Sequence, residues 1–191
     1  MTDGLLIEAD GLGAVRGERI LFSGLHLTVR PGEAIVLRGP NGSGKSTLLR
    51  IIAGLSQPAV GEVRLDGTHH WIGHRNAIKP HETPRQHLQH WARAWGSSAD
   101  PVEIANRMGL ERPLDVAGRL LSAGQRRRTA LGRLLLSERP VWLLDEPFTA
   151  LDTNGRALLA EMMATHRATG GGIIAALHGE APFEADREMV L

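Results

Sequence analysis

Residues 34–55, AIVLRGPNGSGKSTLLRIIAGL, decide how this chain folds. The unbroken apolar run at 34–37 is sized for a short strand. Leu48, Leu49, Ile51, Ile52 and Leu55 then recur at helical spacing, and Gly54 lies near the end of the helix they predict. Between the two lies GPNGSGKST, which fits G-x-x-x-x-G-K-S/T with the strand before and the helix after that the motif requires. A strand thus feeds a helix through a glycine loop. The candidate phosphate-binding residues are Gly39, Pro40, Asn41, Gly42, Ser43, Gly44, Lys45, Ser46 and Thr47. Glycines let successive backbone N–H groups converge on phosphate oxygens, and the helix N-terminus adds its dipole. Lys45 is expected to reach the terminal phosphates, and the Ser46 hydroxyl to ligate Mg²⁺. Each charge-assisted hydrogen bond of this kind contributes ~1.5–3 kcal/mol.

Apolar or alternating runs at 5–9, 20–22, 25–29 and 34–37, separated by Gly and Pro turns, predict an antiparallel start, the β-subdomain. Downstream, GEVRLDGT reads as strand and turn. Residues 84–137 then carry helical patterns, with Leu88, Trp91 and Trp95 on one stripe and Ala130, Leu131, Leu134 and Leu135 on another. VWLLD and GIIAALH are buried-strand runs flanking a helix near 154–167, and ADREMVL looks like the last strand of the sheet. The expectation is one α/β domain over residues 1–191. It has an antiparallel β-subdomain, a mostly parallel core sheet and a helical subdomain inserted at about 84–137.

The chain has 191 residues, no cysteine and a formal charge of +1. Thiol catalysis, disulfides and iron-sulfur ligation are excluded, and no global field attracts nucleic acid. The longest apolar runs are strand-sized, far below the ~20 residues of a membrane helix. A cytoplasmic protein with locally held partners is expected.

VWLLDEP places Asp145 at a strand exit, where a carboxylate can hold the metal's water shell, and Glu146 directly after it. With Asp145 on the metal, Glu146 is free to orient or deprotonate the water attacking a γ-phosphate. These motifs alone fit kinases, GTPases and helicases equally. LSAGQRRR, residues 121–128, separates them: it resembles the LSGGQ signature of the ATP-binding cassette superfamily, matched by Leu121, Ser122, Ala123, Gly124 and Gln125.

That resemblance covers nearly the whole chain and implies a P-loop ATPase of the cassette type, binding Mg-ATP. It implies that Ser122, Ala123, Gly124 and Gln125 face the γ-phosphate held by a second copy, with two ATP molecules sandwiched between head-to-tail protomers. TALD looks like the D-loop, with Asp152 crossing the dimer interface. His178, after IIAAL, looks like the switch histidine that contacts the γ-phosphate. The family often stacks an aromatic on adenine near the position of Arg16. This chain has no tyrosine, and Arg16 either stacks its guanidinium there, for ~0.5–2 kcal/mol, or is simply exposed.

Counting back from Thr83 in IKPHETP, the family's Q-loop glutamine falls on His74. This coupling loop joins the metal site to a subdomain that grips a membrane partner. Histidine changes charge near neutral pH, so the substitution is expected to add pH dependence. GHRNAIKPHETP, ERILFSGLHLTV and SAGQRRR resemble the haem-exporter ATP-binding subunits of the cytochrome c maturation system. Glu82 stands where an apolar residue is usual there, and Gln86 and His87 where Glu-Asn is commoner. The resemblance implies a peripheral ATPase on the cytoplasmic face of the bacterial inner membrane. Its integral membrane partners belong to the cytochrome c maturation complex, and the chain itself binds neither nucleic acid nor haem. Alternatives are a subunit of another cassette exporter, a soluble cassette ATPase or a regulatory module without turnover. The other histidines are expected to be exposed, and Arg126, Arg127 and Arg128 to form a solvated face with one helix-packing partner.

Overall fold

The computed structural model describes residues 4–191. They divide into two compact units. One contains the described residues up to Gly73 with Arg139–Glu146 and Glu161–Leu191; the other contains His74–Glu138 and Pro147–Ala160.

The first unit holds β1 (Ile7–Arg16), β2 (Arg19–Val29), β3 (Ala34–Arg38), helix α1 (Lys45–Ile52), β4 (Val60–Leu65) and β5 (His69–Ile72). Later in the chain it adds β6 (Val141–Asp145), β7 (Gly172–Ala176) and β8 (Arg187–Val190). β2, β1 and β4 form an antiparallel sheet in that order. β1 and β2 make one long hairpin, where the sequence predicts three shorter runs with glycine turns between them. The register slips between Ala9 and Leu12, and Gly11 (φ 59°) and Gly24 (φ 63°) take left-handed backbone within the paired strands. These glycines bend continuous strands through bulges and do not end them.

The second sheet has the order β5-β6-β7-β3-β8, and every pairing in it is parallel. β3, expected with the antiparallel runs before it, lies here between β7 and β8, because its first four residues are all buried and suit a strand covered on both faces. All five residues of β6 and of β7 are buried, as expected for strands covered on both faces. β8 coincides with the strand expected in ADREMVL. β5, in contrast, carries no strand signal in sequence. Its polar letters HHWI hide an alternation in which His70 and Ile72 are buried, pairing with Trp142 and Leu144 of β6. Leu48, Leu49, Ile51 and Ile52 of α1 join Ile35 and Leu37 of β3 and Leu143 and Ile174 in the core of this unit. Gly54 (φ 68°) follows α1 and terminates it, its N–H bonding to Ile51 O.

The second unit is helical, with α2 (Pro84–Trp95), α3 (Pro101–Arg107) and α4 (Ala123–Leu131), the last running into a 3₁₀ turn at Gly132–Leu135. Thr83 caps α2 through a capping box with Gln86, and Pro84 occupies the first turn, where no N–H is needed. Leu88, Ile104, Met108 and Leu131 are fully or nearly fully buried. Gly132 lets them close up: a Cβ there would lie 3.1 Å from Leu88 and 3.4 Å from Ile104. Helix α5 (Thr153–Ala168) spans the segment expected to be helical. No helix among the described residues is long and apolar enough to cross a membrane.

Candidate functional site

Parallel strands put their C-terminal ends on one edge, and that edge is where α/β sheets bind ligands. Leu37 of β3 pairs with Ala176 of β7, which pairs with Asp145 of β6, so these three residues form one row across the sheet. Strand spacing places Leu37 and Asp145 about 10 Å apart. Gly39, His178 and Glu146 follow directly beyond that row. The sheet order therefore gathers the glycine loop, the acidic pair and the histidine from three distant parts of the sequence.

The glycine loop needs its glycines. Gly39 (φ 131°) and Gly44 (φ 114°) adopt backbone that L side chains avoid. A Cβ on Gly39 would lie 2.4 Å from Leu191 O and 2.9 Å from Ser43 Oγ. Gly44 is the N-cap of α1 and supplies no side-chain cap, so the first N–H groups of the helix keep their donors for another acceptor. Lys45 is only 6 % exposed, and its ammonium donates to the carbonyls of Gly39 (2.7 Å) and Pro40 (3.0 Å). Those bonds use two of the three donors an ammonium carries and stiffen the loop. Ser43 Oγ is buried without a hydrogen-bond partner. Uncapped N–H groups, a buried cation and an orphaned hydroxyl around one loop fit a polyanion such as a nucleotide's phosphates. For the accompanying Mg²⁺, the exposed Ser46 and the buried Asp145 offer the oxygen donors a hard cation takes.

Glu146 follows β6 with φ at 50°, an uncommon left-handed backbone for a glutamate, and its N–H donates to Ala176 O at 3.0 Å. That bond prolongs the β6–β7 ladder by one residue. It turns the Glu146 side chain toward the chain leaving β7, where His178 Nε2 lies 3.1 Å from Glu146 Oε1. Both side chains remain partly open to solvent.

Within the helical unit, Ser122, Gly124, Gln125, Arg128, Gly109, Ala150 and Asp152 line a cleft of about 330 Å³. Ser122 caps α4: its Oγ accepts the Gln125 N–H at 3.1 Å, and Gln125 Oε1 accepts the Ser122 N–H at 2.9 Å. Ala123 is exposed beside them. A Cβ on Gly124 would lie 2.9 Å from Ala150 O, so the small residue allows the Ala150 turn (φ 65°) to sit against the start of α4. Asp152 Oδ1 accepts from Gly155 N–H at 2.8 Å and from the Arg128 guanidinium, and these bonds hold its carboxyl below the usual range.

His74 is exposed, in the loop leading to α2, and Arg16 is exposed at the tip of the β1–β2 hairpin, paired with Arg19. The expectation of exposed histidines fails at His70 and His87, each 1 % exposed. His87 Nδ1 lies 3.0 Å from Glu82 Oε2, so the two unusual residues of this segment partner each other. Burial pushes the His87 imidazole below its usual range against the opposing pull of Glu82. The arginine run is also more engaged than expected. Arg127 is buried, Arg126 bonds the carbonyls of Leu121 and Gly118, and Arg128 bonds Asp152. A signal was present in sequence: Arg127 shares the helical stripe of Ala130, Leu131 and Leu134.

The sequence family described as ABC transporter matches residues 22–149, more than half of the chain, and the chain belongs to that family. A relative from Hyphomonas neptunium, the cytochrome c biogenesis ATP-binding export protein CcmA, is 57 % identical over 97 % of this chain and 96 % of its own length. The protein of the same name from Methylococcus capsulatus is 46 % identical over 93 % of both chains. Among solved structures, the ATP-binding subunit of an ABC transporter superposes with a TM-score of 0.81 at 27 % identity, covering 91 % of this chain and 79 % of that one. A second ABC ATP-binding protein, from Pyrococcus furiosus, shares the fold at a TM-score of 0.79 and 23 % identity, covering 97 % of this chain and 96 % of that one.

Proposed function

We propose that the chain is the ATP-hydrolysing subunit of an ABC transporter complex serving cytochrome c biogenesis. Its phosphate loop binds Mg-ATP through backbone N–H groups and Lys45, and Ser46 and Asp145 hold the metal. Bound Mg²⁺ supplies charge neutralisation of the β- and γ-phosphate oxygens. Glu146 accepts the proton of the attacking water, and His178 orients the γ-phosphate and fixes the Glu146 carboxylate. Two copies close head to tail, so that Ser122, Ala123, Gly124 and Gln125 of one complete the ATP site of the other, with Asp152 at the shared boundary. The His74 loop passes closure and reopening to integral membrane subunits of the cytochrome c maturation complex, at the cytoplasmic face of the bacterial inner membrane. Haem, where it is handled, belongs to those partners.

The observation carrying the chemical part is the bond between Glu146 and His178 at the sheet edge that also bears the phosphate loop. The cytochrome part is supported by the identity to the two CcmA proteins across nearly their whole length. The test is affinity purification of a Glu146→Gln variant from gently solubilised membranes with ATP present. Co-purification of cytochrome maturation membrane proteins is expected. Recovery of an unrelated permease overturns the pathway assignment and leaves the ATPase chemistry standing.

A further inference from the structure

Arg127 is 2 % exposed, which for a guanidinium demands bonded partners. Two of them come from segments far apart in sequence. Its Nε donates to Pro147 O at 3.1 Å, and its Nη1 donates to Asn76 Oδ1 at 3.1 Å. Pro147 directly follows Glu146, and Asn76 stands two residues after His74. Both anchor points adjoin restricted backbone. Glu146 has φ at 50° and precedes a proline, and Ala77, next to Asn76, has φ at 59°. A non-glycine residue in the left-handed region persists only where its surroundings hold it there. The Pro147 carbonyl lies in the next peptide, and because the proline ring fixes the φ between the two, a bond to it also limits the peptide that joins Glu146 to Pro147.

We infer that Arg127 is a positioning residue: its planar fork ties the coupling loop at Asn76 to the Pro147 carbonyl, one peptide beyond Glu146, so that displacement of that loop shifts the catalytic carboxylate. The inference rests on the reading of Glu146 as the base. Lysine is no substitute, because its donors share one nitrogen on a flexible stem, whereas Nε and Nη1 meet the two acceptors from separate positions on a rigid plane. The helix signature next to Arg127 thus does more than face a phosphate. Through this residue it joins the two loops that hydrolysis and coupling use.

The test compares Asn76→Ala, Asn76→Asp, Arg127→Lys and the double variant Asn76→Ala/Arg127→Lys with Glu146→Gln. It measures steady-state ATP hydrolysis by the full chain in the membrane complex with which it purifies, together with thermal unfolding. Asn76→Ala and Arg127→Lys are each expected to lower kcat about tenfold at unchanged KM, and the double variant to be no slower than either single one. Asn76→Asp, which keeps the acceptor, is expected to recover the rate. Parental kcat in Asn76→Ala, multiplying effects in the double variant, or a raised KM with kcat intact overturns the inference. If Arg127→Lys does not fold, the Ala and Asp variants at position 76 decide it alone. An inactive Glu146→Gln beside a fully active Asn76→Ala sinks only this inference, whereas a fully active Glu146→Gln removes the functional reading beneath it.

Discussion

His178 Nε2 and Glu146 Oε1 stand 3.1 Å apart, joining the ends of two adjacent parallel strands. The bond orients a carboxylate whose backbone already takes the left-handed region. His178→Ala is therefore expected to lower kcat for ATP hydrolysis by about 100-fold, the lower end of the scale for general-base catalysis, because the base loses the partner that orients it. Nucleotide affinity, assigned above to the phosphate loop, should change little. Phosphate release and equilibrium binding of a fluorescent ATP analogue measure the two separately.

Gly39→Ala probes the phosphate loop without changing charge. The added Cβ would press on Leu191 O and on Ser43 Oγ in a backbone with φ at 131°. The expected cost is about 1–3 kcal/mol of stability. Weaker ATP binding should accompany it, because the loop amides lose their alignment. Denaturant unfolding and nucleotide titration of the same variant check both.

The cleft at the start of α4 makes a different demand. Gly124→Ala brings a Cβ to 2.9 Å from Ala150 O, forcing the Asp152 loop away from Ser122. Hydrolysis is expected to fall by about tenfold, while ATP binding at the phosphate loop is retained. Equal loss of both would show that the two sites do not act separately.

Acid should destabilise the fold through His166. Its ring stacks on Trp142 with centroids 4.1 Å apart and an interplanar angle of 8°. Burial pushes the imidazole down to about 4, against weaker raising effects of backbone bonds at Gly172 and Pro140. The folded state thus prefers the neutral ring. The stabilisation is complete above the unfolded value of about 6.5 and is lost as pH falls through about 4. With allowance for partial exposure it amounts to about 2 kcal/mol. His166→Phe keeps a stacked ring without the titration, and its melting temperature should fall less between pH 7 and pH 4 than that of the parent. An identical slope in both proteins would contradict this account.

The capping box of α2 offers a smaller, local check. Thr83 Oγ1 accepts the Gln86 N–H at 3.2 Å, and Gln86 Oε1 accepts the Thr83 N–H at 3.0 Å. Thr83→Ala should cost about 1 kcal/mol, read as a shift in the denaturation midpoint. Gln86, unusual against the resembled subfamily, serves here as well as a glutamate.

Much of the molecule is legible in short windows of sequence. The strand, glycine loop and helix of residues 34–55, the acids after VWLL and the cap before AGQRRR are local patterns. Each depends on backbone geometry within a few residues, which residue type and spacing dictate. The glycines at 11 and 24 mislead because positive φ marks a bulge as readily as a turn, and only pairing with a neighbouring strand tells the two apart. β5 is missed because two histidines mask a strand whose burial comes from β6 and not from its own composition.

Other relationships have no local signature at all. That His178 meets Glu146 depends on β7 lying beside β6 in the sheet order. That Arg127 is buried between Pro147 and Asn76, while Arg128 turns to Asp152, depends on which face of α4 each occupies and on what packs against that face. Local propensity selects helices, strands and caps because backbone sterics act over a few residues. Hydrogen bonds between side chains tens of residues apart are settled only when burial makes an unpaired donor too costly and the assembled elements supply its acceptor.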